Sequence, residues 1–83
     1  MQKEDILNAI GSSVEGDGKL SLYDVTKLGS MCKSFALRFN DETYEYFYEV
    51  DVDDMVREDF PLDSITGKGW KLSDDGKKAF KYI

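Results

Sequence analysis

The chain has no histidine and a single thiol, Cys32, so the usual neutral general base and the usual metal-binding pairs are both missing. Catalysis would have to rest on carboxylates, Lys, Tyr or that lone Cys, and no spacing among them forms a catalytic motif. The chemistry that the residue types do support is recognition. Three tyrosines, Tyr44, Tyr46 and Tyr48, alternate with Glu45, Phe47 and Glu49, which offers stacking area beside fixed negative charge. Farther along, GKGWK places the only tryptophan, Trp70, between Lys68 and Lys71 on a glycine-flanked segment, where two ammonium groups could touch phosphate.

Charge separates these two groups. Residues 41–63 carry ten acidic side chains against Arg57 alone, residues 64–83 carry five lysines against Asp74 and Asp75, and residues 1–40 balance, within a net charge of −6. Net acidity argues against tight non-specific DNA binding, which needs many phosphate-neutralising Lys and Arg. The acidic, tyrosine-rich block suits a protein partner, with Tyr44, Tyr46, Tyr48, Glu45 and Glu49 as its contacts. Cys32, beside Met31, reads as a small buried apolar residue.

The elements that must hold these residues follow from periodicity. Ile6, Leu7, Ile10 and Val14 share one face of a helix over residues 3–14, with Glu4 and Asp5 in the first turn where the helix dipole favours anions. EGDGK is a turn. Ser21 is an N-cap and Asp24 the matching capping-box acid of a second helix, whose apolar face is Leu22, Val25 and Leu28. Phe35, Leu37 and Phe39, then Tyr44, Tyr46, Tyr48, Val50 and Val52, alternate around the polar NDE, which predicts a β-hairpin. A helix capped at Asn40 or Asp41 is the competing reading of residues 41–50. DVDDMVREDF predicts a short helix stopped by Pro61. Leu62 and Ile65, then Trp70 and Leu72, predict a second hairpin with its tip at Gly67–Gly69. DDGKKAFKYI predicts a terminal helix with Phe80 and Ile83 inward.

The fold class expected is therefore α+β: one domain over residues 1–83, with two N-terminal helices, a hairpin, a short helix, a wing-like hairpin and a terminal helix. A chain of this length buries only about 60–65% of its unfolded surface, so its core is small and an elaborate buried active site is not expected. A non-catalytic, cytoplasmic binding or regulatory module is expected, monomeric or homodimeric, without cofactor or metal. The N-terminus lacks the apolar stretch of a signal peptide and no run is long enough for a membrane span.

Two resemblances bear on function. WKLSDDGKKAF resembles the end of a winged-helix domain, in which a wing strand with an aromatic and a Leu leads through Ser, two polar residues and Gly into a closing helix. DDMVREDFPLDSITGKG and ILNAI with LSLYDV resemble its preceding elements. The resemblance implies a regulator that can contact duplex DNA, with Lys68 and Lys71 on phosphate and Trp70 at the wing. Over residues 13–24, SVEGDGKLSLYD resembles an EF-hand or dockerin calcium loop, with Ser13, Glu15 and Asp17 as early ligands, Gly18 at the turn and Asp24 last. A plain connection between two helices is the other reading of that segment.

Overall fold

The computed structural model describes residues 1–13 and 18–83. Helices α1 (Lys3–Ser13), α2 (Leu22–Met31) and α3 (Val52–Arg57) and a 3₁₀ turn (Leu62–Ser64) accompany strands β1 (Ala36–Asn40), β2 (Glu45–Asp51), β3 (Lys71–Leu72) and β4 (Lys78–Tyr82). The strands form one antiparallel sheet in the order β1-β2-β4-β3. The chain is an α+β domain, as its periodicities predict.

Residues on α1, α2, α3, the sheet and the segments that connect them meet in one core: Ile6, Ala9, Ile10, Leu28, Cys32, Val50, Val52, Met55, Phe60, Ile65, Trp70 and Ala79. Trp70 is its largest fully buried side chain, at 0% exposure. Its indole N–H donates to the Ser64 carbonyl at 3.4 Å. Burying a ring of this size removes about 200 Å² from water, more than any other residue here can contribute.

The helix starts obey their local signals. Ser21 Oγ accepts from the Asp24 N–H at 3.1 Å while the Asp24 carboxylate accepts from the Ser21 N–H at 3.1 Å, which completes the capping box of α2. The second Asp24 oxygen takes the Ser64 hydroxyl at 2.9 Å, so one buried carboxylate joins α2 to the 3₁₀ turn. Burial alone would raise the Asp24 pKa; its hydrogen bonds to Ser21 and Ser64, helped by Lys68, outweigh that and hold it below the ordinary carboxylate value of 3.8. A carboxylate with a depressed folded pKa stabilises fully above its unfolded pKa and loses that contribution as pH falls through the folded value. The Tm gap between wild type and Asp24→Asn should accordingly be widest at neutral pH and close as pH drops from about 5 toward 3. A gap that stays constant across that range in calorimetry would contradict this linkage.

The packing bears out the hairpin and corrects several other expectations. The 36–51 segment is the predicted hairpin rather than a helix, closed by a turn in which Asn40 Oδ1 accepts from the Glu42 N–H at 3.0 Å and Tyr44 takes φ 57°. Helix α3 ends before Pro61: Asp59 adopts φ 52° and the Phe60 N–H bonds the Met55 carbonyl at 3.0 Å, so a left-handed cap terminates it. The hairpin with a tip at Gly67–Gly69 does not form. Leu62–Ser64 is a 3₁₀ turn, and Gly67 and Gly69, at φ 70° and 80°, carry a loop that delivers Trp70 into the core.

The terminal helix is also absent, because residues 78–82 are strand β4. Ser73–Lys77 is the turn of the β3–β4 hairpin. Asp75 Oδ1 accepts from the Ser73 hydroxyl and the Lys77 N–H, Ser73 Oγ accepts from the Lys78 N–H, and Gly76 supplies φ 72°. Phe80 is half-buried and Ile83 exposed; Ala79 is the residue of this segment that enters the core. Leu22, in the first turn of α2, lies beyond the edge of the core and is exposed, while Leu28 is buried. Val14 lies outside the described residues.

Candidate functional site: the helix-side face of the sheet

Strand register decides which side chains share a surface. Leu37 pairs with Tyr48 and Tyr48 with Lys81, while Phe39 pairs with Tyr46, whose carbonyl accepts the Ile83 N–H at 3.1 Å. Directly opposed residues project from the same face of a sheet. These form two transverse rows, Leu37–Tyr48–Lys81 and Phe39–Tyr46–Ile83. Val50 and Ala79, paired farther along on that face, are covered by the helices.

The helices stop short of the far end. Leu37, Phe39 and Tyr46 are 56%, 48% and 55% exposed, and Tyr44 at the turn is 81% exposed. Phe39 packs against Tyr46 at 4.9 Å between ring centroids and edge-on to Tyr44 at 6.4 Å, so these side chains are one patch and not scattered residues. Tyr48 is half-buried and stacks on Phe35 at 5.3 Å, which anchors the inner end of the patch to the core. Strand β1 is an edge of the sheet, so the patch is open along its outer side. The opposite edge, β3, is only two residues long.

Inward, the rows run into a groove of about 340 Å³ walled by Leu20 and Val25 and floored by Tyr48, Lys81 and Ile83. Gly18 sits at its rim, where its N–H donates to the Gly67 carbonyl at 3.1 Å. A Cβ on residue 18 would lie 2.4 Å from that carbonyl oxygen, so only glycine permits this approach.

The predicted site residues divide between two faces. Tyr44, Tyr46 and Tyr48 belong to the patch just described. Glu45 and Glu49 alternate with them and lie on the open face, where Glu49 accepts from Arg38 Nε at 2.8 Å. Glu49 joins Phe47, Phe80, Tyr82 and Lys78 around a shallow concavity of about 440 Å³. Trp70, which the sequence offers either as a core residue at the root of a wing or as a nucleic-acid contact, is fully buried and offers no face to a ligand. Lys71 pairs with Phe80 and shares its open face, whereas Lys68 lies against Gly18, at the rim of the groove. Lys68, Trp70 and Lys71 therefore form no common surface.

Of the residues proposed for calcium, Glu15 and Asp17 lie outside the described residues, and both Asp24 oxygens are engaged by Ser21 and Ser64. Among the described residues no group of three or more Cys, Asp or Glu is placed to hold a metal ion. Cys32 is buried, and burial pushes its thiol pKa up, with Glu58 adding to the effect, so it is not a poised nucleophile. No helix among the described residues is long and apolar enough to cross a membrane.

Sequence reasoning named the tyrosines but not Leu37, Phe39, Lys19, Lys81 or Ile83. The first two were legible in principle: a four-residue turn after Asn40 sets Phe39 opposite Tyr46 and Leu37 opposite Tyr48. Lys81 and Ile83 reach the site only because β4 pairs with β2, and Lys19 follows Gly18, which is held against the Gly67 carbonyl. No protein-family model, no curated protein and no solved structure matches this chain.

Proposed function

We propose that this domain is a non-catalytic protein-binding module whose partner covers the exposed end of the helix-side face. The observation that carries this reading is the contiguous Leu37, Phe39, Tyr44 and Tyr46 patch on an edge hairpin, held rigidly by the Phe35–Tyr48 stack. Aromatic anchors on a rigid strand provide contact area at low entropic cost, and such residues dominate binding energy when desolvated. Glu45 and Glu49 face the opposite way, so the partner contact is apolar and aromatic in character.

A photoreactive benzoylphenylalanine in place of Phe39 should give a discrete protein adduct on irradiation in extract of the source cells, and the same group in place of Phe47, on the open face, should not. The captured protein, once purified, should bind wild type at least tenfold more tightly than Phe39→Ser, a difference of about 1.4 kcal/mol. Equal adducts from both positions, or equal affinity for the variant, would sink this reading.

A further inference from the structure

The groove that continues the aromatic patch is ringed by positive charge. Lys81 lies on its floor, paired across the strands with Tyr48, and its ammonium donates to the Gly18 carbonyl at 3.3 Å. Lys19 follows Gly18 in the chain and lines the same groove. Lys68 reaches the same place from the Gly67–Gly69 loop, with its Cδ 3.4 Å from where a Cβ of residue 18 would be. Three lysines thus gather around one glycine in a chain of net charge −6.

Among the described residues, none of the three makes an ion pair within 4 Å. Asp24 is close enough to feel Lys68, but its oxygens are already taken by Ser21 and Ser64. Burial first, then the neighbouring charges of Lys19 and Lys68, depress the Lys81 pKa.

We propose that the segment seated on this face is acidic: an extended partner peptide whose apolar side chains cover Leu37, Phe39 and Tyr46 and whose carboxylates reach Lys19, Lys68 and Lys81. This rests on the protein-binding reading and adds the chemistry of the occupant. The dimensions agree, since β1 and β4 are two strand spacings apart, about 10 Å, which three or four extended residues span. The net negative charge of the domain does not prevent it. At physiological salt, interactions beyond about 8 Å are largely screened, so the nearby lysines outweigh the distant acidic face.

Phage-displayed random dodecapeptides selected in parallel on wild type, on Phe39→Ser and on the triple variant Lys19→Gln/Lys68→Gln/Lys81→Gln test this, with thermal melts confirming that each variant is folded. Sequences enriched on wild type should combine apolar or aromatic positions with at least one Asp or Glu. A synthetic peptide of that consensus should bind wild type at least tenfold more tightly than its Asn/Gln counterpart. The triple variant should bind the two peptides equally, and Phe39→Ser should lose both. A consensus without an acidic position, or an acidic preference that survives in the triple variant, overturns the inference while the aromatic site stands. Enrichment that ignores Phe39→Ser, or no enrichment on wild type, overturns the site itself. Random 12-base-pair duplex DNA that binds through the lysines and is indifferent to Phe39→Ser would replace the acidic peptide with a nucleic acid and overturn the inference as well.

Discussion

Trp70→Ala is expected to lower the unfolding free energy by about 3–5 kcal/mol, the usual cost of truncating a large buried aromatic. The ring is fully buried in a core shared by α1, α2, α3 and the sheet, so no single element can collapse into the space it leaves. Its indole N–H also supports the Ser64 carbonyl, and Ser64 in turn donates to the carboxylate that caps α2. Removing the ring therefore loosens both the core and the contact between α2 and the 3₁₀ turn. A domain of this size has a total stability of roughly 4–12 kcal/mol, so a loss of this size removes about a quarter of it or more. Urea unfolding followed by far-UV circular dichroism measures the difference. A loss below about 1 kcal/mol would be incompatible with an indole at the centre of the core.

Asp54→Ala should cost about 3 kcal/mol, by a different mechanism. Asp54 is a buried carboxylate in α3 whose Oδ2 accepts from the Ser34 N–H at 2.9 Å and from its hydroxyl at 2.6 Å. Ser34 Oγ then accepts from the Asp51 N–H at 3.0 Å, and Arg57, one turn along the helix, pairs with the other carboxylate oxygen. The Arg57 side chain is mostly exposed, so its ion pair contributes little. The cost arises from leaving the Ser34 donors without an acceptor. Because Ser34 precedes β1 and Asp51 ends β2, this bridge holds the base of the hairpin that carries Leu37, Phe39 and Tyr46. Urea denaturation should record the loss. Amide exchange in β1 and β2 should accelerate more than in α1, and uniform acceleration would assign Asp54 a merely global role.

Legibility from sequence varied with how local the cause was. Ser21 and Asp24 satisfy each other within one helical turn, so α2 and its cap could be read without any tertiary knowledge. The alternation from Phe35 to Val52 is likewise local, and the hairpin follows from it. The readings that failed concern segments with two viable local solutions. SDDGKK contains both the polar start of a helix and the Ser, Asp and Gly of a tight turn; an available β2 edge, pairing Val50 with Ala79 and Glu49 with Phe80, selects the turn. GKG supplies left-handed conformations to a hairpin tip or to a loop equally well, and the drive to bury Trp70 selects the loop.

Function divides in the same way. Composition and pattern by themselves established an α+β domain without histidine chemistry, an acidic aromatic hairpin, and the second helix with its cap, because these depend on residue type and on neighbours a few positions apart. Only the tertiary structure decided that Trp70 is core, that Glu45 and Glu49 leave the tyrosine surface, and that Lys19, Lys68 and Lys81 converge at its inner end. Each of those outcomes depends on strand pairing and loop closure between residues up to 63 positions apart, such as Lys81 and Gly18. Hydrophobic burial sets that registry across the whole molecule, and no short window of sequence contains it.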